Sequence, residues 1–181
     1  MRRPLFERLP VLLVLPISLL ALASCGGPQW DPSAPDACRV VTEWDAALAL
    51  GEFSGPGVSG VPYTNFPYYK CHYGPLDDNK SVDVWISPRP EESTAGNQLA
   101  AFTEWVQSQL ASGEISGMKS LNGIGDAAYM FPATAPTPAQ WQLVFLKGTD
   151  MVTIFVPLNG RDSVVVEQLT IDLARTVANR M

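Results

Sequence analysis

Gln142-Leu143-Val144-Phe145-Leu146-Lys147-Gly148-Thr149-Asp150-Met151-Val152-Thr153-Ile154-Phe155-Val156-Pro157 decides the fold. Two apolar runs rich in β-branched and aromatic residues, 142–147 and 151–157, flank the turn tripeptide Gly148-Thr149-Asp150, so the spacing predicts two strands joined as a hairpin. Earlier in the chain, 81–87 alternates with Val82, Val84 and Ile86 inward, and 68–73 alternates with Tyr69, Cys71 and Tyr73 opposite Lys70 and His72. Asp77-Asp78-Asn79 separates these runs as a turn, which predicts a second antiparallel hairpin. Ala127 to Phe131 predicts a shorter strand before the later pair.

Three segments carry the helical period instead. The first runs over 37–50, with Asp36 as N-cap, Val40, Trp44, Ala47 and Leu48 on one face and Gly51 as the stop. The second covers 93–111 with Leu99, Phe102, Val106 and Leu110 inward, ending at Gly113. The third covers 163–180, capped by Asp162 or Ser163, with Val166, Leu169, Leu173 and Val177 inward. Between the first helix and the first hairpin, Glu52 to Pro67 is rich in Gly and Pro and reads as a long loop rather than a strand. The predicted order is α-β-β-α-β-β-β-α. Hairpin-connected strands and helices with a single apolar stripe imply the α+β class, an antiparallel sheet with helices packed on it and one sheet face partly exposed.

The N-terminus has a different character. Arg2, Arg3 and Arg8 precede an apolar segment, Leu9 to Ala23, and the run Leu22-Ala23-Ser24-Cys25 closes it with small residues before a cysteine, the pattern of a bacterial lipobox. A bilayer-spanning helix needs about 20 apolar residues, and this segment is shorter and carries Pro10 and Pro16. Ordinary secretion with cleavage at another small-residue site is the other alternative. The expectation is a lipoprotein signal peptide over 1–24, diacylglyceryl attachment to the Cys25 thiol, and a Gly/Pro-rich stalk over 25–36 lifting a single domain, 37–181, from the membrane.

Charge narrows the partners. Of 12 basic and 18 acidic side chains, Arg2, Arg3, Arg8 and Glu7 precede Cys25, which leaves a net charge of −8 beyond it. That balance argues against nucleic acid and against an electrostatic attachment to anionic headgroups. With Cys25 assigned to lipid, Cys38 and Cys71 remain as an even pair in an exported chain, so a disulfide between them is expected. A metal site on the same cysteines would need two more ligands, and His72 is the one histidine, so no metal and no cofactor are expected.

The segment Gly123-Ile124-Gly125-Asp126-Ala127-Ala128-Tyr129, taken with the lipobox, the early helix beside Cys38 and the second cysteine in the first hairpin, resembles a family of small actinobacterial lipoproteins of unknown function. Their plan combines a G-[LIV]-G-D-x-A-[YF] turn, a Leu/Val-rich hairpin with a central glycine and a C-terminal helix, and this chain is similar to it from Ala37 onward. The resemblance implies an exported, disulfide-bonded, membrane-anchored domain with no established reaction. Some relatives look like the sensor domains of envelope-spanning kinases. The plan supplies no catalytic residues to carry over.

Gly123 to Ala128 also satisfies the dinucleotide pattern G-x-G-x-x-[GA], but that pattern needs a strand before it and a helix after it. Here polar Ser120-Leu121-Asn122 precedes and a strand-like segment follows, so a tight turn is expected, with Gly123 and Gly125 at positive φ and Asp126 bonding nearby turn amides. His72 is expected to be a partly exposed strand residue, although an envelope hydrolase would have to use it as its base. The acidic pairs Asp77-Asp78 and Glu91-Glu92 read as solvated turn formers. Aromatic residues crowd the long loop and its exit, and Tyr63, Phe66 and Tyr68 are the expected binding surface; Phe131 to Trp141, spaced by Pro132, Pro136 and Pro138, is a second candidate rim.

These features lead to one main expectation: a lipid-anchored, non-enzymatic lipoprotein that binds an envelope protein or an apolar ligand at the outer face of the cytoplasmic membrane. A hydrolase using His72 and a structural assembly component are the alternatives.

Overall fold

The computed structural model describes residues 37–60, 68–75, 80–88, 94–113, 115–133 and 139–181. Cys25, Asp36, Tyr63, Phe66 and the turn at Asp77-Asp78-Asn79 lie outside them, as do the 1–24 and 25–36 segments.

Among the described residues, strands β1 (Val58–Gly60), β2 (Tyr69–Tyr73), β3 (Val82–Pro88), β4 (Lys119–Leu121), β5 (Ala127–Ala133), β6 (Gln140–Lys147) and β7 (Asp150–Pro157) build one antiparallel sheet in the order β1-β2-β3-β7-β6-β5-β4. The chain is α+β. The 142–157 hairpin forms as its two apolar runs and the turn between them predict, and it lies in the middle of the sheet. Its second strand pairs with β6 on one side and with β3 on the other, so Leu143, Ile154 and Val84 stand in one row of the core. Two short strands escape the sequence pattern. Both β1, inside the Gly/Pro-rich segment expected to be a loop, and β4 are three-residue edge strands, too short to show a period of two.

Helices α1 (Ala37–Val40), α2 (Glu43–Leu50) and α4 (Ser163–Arg180) cover one face of the sheet, and α3 (Ala95–Ala111) packs on the other. The expected first helix is thus broken in two. Thr42 adopts extended backbone and caps α2 through a capping box, its hydroxyl accepting from the Asp45 amide while the Asp45 carboxylate accepts from the Thr42 amide at 2.8 Å. The break resets the helical phase. Val41, Ala46, Ala49 and Leu50 become the buried positions, while Trp44 and Leu48, expected inward, face out. The small Ala46 and Ala49 let α2 lie close to its neighbours, a role that a count of large apolar residues does not reveal. Leu99 and Leu169 likewise fall at the margins of their stripes, with Leu99 exposed and Leu169 half-buried, whereas Phe102, Val106, Val166, Leu173 and Val177 are buried as expected. Asp162 is the N-cap of α4, accepting from the amides of Val164 and Val165.

The Cys38 and Cys71 sulfurs are bonded, 1.98 Å apart, and tie α1 to β2. Beside them the Tyr73 hydroxyl donates to the Val41 carbonyl, so the α1–α2 junction is held by a covalent bond and a buried hydrogen bond together. Gly123 and Gly125 both have positive φ, as the turn reading requires. Asp126 accepts from the Gly148 amide at 2.7 Å, so the β4–β5 turn is fastened to the β6–β7 turn.

At the far end of α4, Arg180 donates to the Val40 carbonyl at 3.1 Å and to the Asp45 carboxylate. Burial pushes the Asp45 carboxyl up, but hydrogen bonds from Arg180 and Thr42 outweigh it and hold the group below the usual carboxylate range. A folded-state value lower than the unfolded one gives stability that is complete above the unfolded value and is lost as pH falls through the folded one. Asp45→Asn should therefore flatten the acid limb of the stability curve below about pH 4. Thermal unfolding from neutral into acid pH checks this, and an acid limb as steep as that of the parent protein would refute it.

Candidate functional site

The sheet face opposite α1, α2 and α4 is divided. On one half α3 buries Phe102 and Val106 against Phe131, Val144 and Leu146, with Tyr129, Ala127 and Met151 around them. On the other half β2, β3 and β7 present Lys70, His72, Asp83, Trp85 and Phe155, side chains that the strand alternation sends away from the buried row of Cys71, Val84 and Ile154.

Trp85 organises this second half. The Tyr68 ring stacks on it with centroids 4.9 Å apart and planes 16° from parallel, and Phe155 leans against it from β7 at 4.9 Å. Lys70 Nζ lies 5.8 Å from the same ring centroid, within cation–π range. The indole Nε1 is enclosed yet meets no acceptor among the described residues. An aromatic row of half-buried rings with a cation beside it offers flat apolar contact area to a partner or ligand, while the enclosed N–H faces the interior.

His72 lies next to this row and is only 7% exposed, not the partly exposed residue expected. Its Nδ1 is 2.7 Å from Asp83, which Lys70 also reaches at 3.1 Å. Its Nε2 lies 3.1 Å from the Gly74 carbonyl and 3.2 Å from that of Pro75. The Asp83 contact has the outline of a catalytic dyad, but the nitrogen that would take a substrate proton is turned onto backbone oxygens. The ring acts as a brace between β2, β3 and the turn after β2. Sequence spacing could not show this, because the partners of Nε2 are main-chain atoms. Among the described residues no group of three or more His, Cys, Asp and Glu is placed to hold a metal ion.

Of the expected surface residues, Tyr68 is on the aromatic row, while Tyr63 and Phe66 are outside the described residues. Of the second candidate rim, residues 134–138, including Pro136 and Pro138, lie outside the described residues, and it is bounded by Phe131 and Trp141. They are buried on opposite faces of the sheet, Phe131 beneath α3 and Trp141 against α4, where its Nε1 donates to the Ser163 carbonyl at 2.9 Å. Trp85 and Phe155 were absent from the expected surface, and their signal was available: each is an aromatic residue on the outward phase of an alternating strand.

Comparison with protein-family models, with curated proteins and with solved structures finds no match for this chain.

Proposed function

We propose that this chain is an exported lipoprotein, fastened through acyl chains on Cys25 to the outer face of the cytoplasmic membrane, whose domain binds an envelope protein or an apolar ligand and catalyses no reaction. The observation that carries the binding role is the row of half-buried rings Tyr68, Trp85 and Phe155 on the half of the sheet that α3 does not reach. Supporting the anchor are the Leu22-Ala23-Ser24-Cys25 pattern and the pairing of the two remaining cysteines with each other. Engagement of both His72 ring nitrogens by acceptors supports the non-enzymatic reading over a hydrolase.

Native mass spectrometry of the mature protein from its own membrane tests this. A bound species retained by the parent protein should be lost from Trp85→Leu, which removes the flat ring but keeps apolar bulk, and from Tyr68→Ala, with the unfolding temperature little changed. Equal retention by both variants, or no bound species on the parent protein, would reject the aromatic row as the binding surface.

A further inference from the structure

We propose that the outer side of α2, with the adjoining stripe of α4, rests on the phospholipid surface to which the chain is tethered. Trp44, Leu48 and Phe53 then enter the bilayer interface. The inference rests on Cys25 being the acylated residue, and it concerns a different part of the molecule from the aromatic row on the sheet.

Trp44 and Leu48 are each 69% exposed and Phe53 is 59% exposed, a concentration of large apolar side chains seldom left facing water without a use. Trp44 and Phe53 meet edge to face at 5.9 Å, and they line a shallow groove of about 310 Å³ with Ala47 and Leu48. The apolar surface continues across Leu48 to Leu169 of α4, and Val165, one turn earlier on that helix, is 54% exposed.

Chain length favours a bilayer over other occupants. From Cys25 to Ala37 the backbone spans at most about 43 Å when fully extended. It enters the fold at α1, which leads directly into α2 in the same layer. Only about 11 positions separate Ala37 from Leu48, or roughly 16 Å at the rise of a helix. The tether thus keeps the patch at high local concentration beside lipid. Its composition suits that place, since Trp and other amphipathic rings favour the headgroup boundary.

Two of the carboxylates bordering the patch are held by arginines, and a third, Glu52, lies near one. Asp45 is bonded to Arg180, Asp172 lies 3.2 Å from Arg175, and Glu52 acts on the Arg161 guanidinium. Pairing reduces repulsion from anionic headgroups without creating attraction. The contact is therefore apolar in origin and insensitive to salt.

The mature protein with its acyl chains is reconstituted into phosphatidylcholine vesicles, with and without phosphatidylglycerol. It carries a bimane label at Leu48→Cys, at Phe53→Cys or, as the control on α3, at Gln107→Cys, and the lipid acyl chains are brominated near the interface. Labels at 48 and 53 should be quenched at low and high salt alike, and the label at 107 should keep its emission. Unquenched labels at 48 and 53 overturn the proposal, whether those positions face water or are covered by a second copy or a captured protein. Circular dichroism confirms the fold of each variant. Intact mass separates the two failures: an acylated protein without quenching rejects only this docking face, whereas an unacylated Cys25 removes the anchor and this inference with it.

Discussion

Replacing Cys38 and Cys71 together by serine is expected to lower the unfolding free energy by roughly 3 to 4 kcal/mol. The bond closes a loop between positions 33 apart in sequence, so its removal restores considerable freedom to the unfolded chain. The loss would be a large share of the ~5–15 kcal/mol that holds a typical domain together. Native packing multiplies the consequence. α1 has only four residues, and besides the disulfide it is tied down by neighbours such as Tyr73, whose hydroxyl reaches Val41, and Arg180, which reaches Val40. Freed of the disulfide, α1 should fray and loosen α2, which carries Trp44 and Leu48. Urea unfolding of the double variant against the oxidised parent protein measures the effect. A loss under about 1 kcal/mol would show that packing alone fixes α1.

Gly125→Ala should destabilise the fold by more than the ~1–2 kcal/mol that left-handed backbone alone costs a residue with a side chain. Its φ is +56°, and a Cβ built there would come 2.2 Å from the Leu146 carbonyl oxygen, a main-chain atom that cannot turn aside. The clash falls where the two turns are joined, since the Asp126 amide donates to that same Leu146 oxygen at 2.7 Å and its carboxylate accepts from Gly148. Pushing the backbones apart would break both bonds at once. Gly123→Ala is the internal comparison: φ there is +75°, but no atom lies within 4 Å of the added carbon. Denaturant unfolding of the two variants should place Gly125→Ala well below Gly123→Ala. Equal losses would mean that backbone conformation, and not the approach to β6, makes glycine necessary.

This pair also shows how far a motif can be read. The order of residues around Gly123 and Gly125 is enough to predict a tight turn and to set aside a nucleotide site, because a strand follows where a helix would be required. It cannot tell the two glycines apart. The atom that distinguishes them belongs to Leu146, some twenty residues later and one strand away in the sheet.

Helix α2 makes the same point through its apolar face. Val40, Trp44, Ala47 and Leu48 have the spacing of an inward stripe, and an unbroken helix would bury them. Thr42 and Asp45 instead form a capping box that restarts the helix, turning Trp44 and Leu48 outward and placing two alanines against the core. A Thr-x-x-Asp cap was readable in the residues. Which side the restarted helix buries is decided by its neighbours in space: α2 packs against α4, and Arg180 of that helix reaches Asp45.

Sequence alone determined the class of the fold, the 142–157 hairpin, the ends of the long C-terminal helix and the partnership of Cys38 with Cys71. All of these rest on local periods, capping residues and the pairing of the remaining cysteines, which act over a few positions or need no geometry. Tertiary structure decided which aromatic residues meet on the half of the sheet that α3 does not cover, that His72 is a brace with both ring nitrogens occupied, and that Trp44, Leu48 and Phe53 are left exposed. Those outcomes depend on contacts between strands and helices distant in sequence, where the identity of the neighbour, and not the residue's own pattern, sets what each side chain can do.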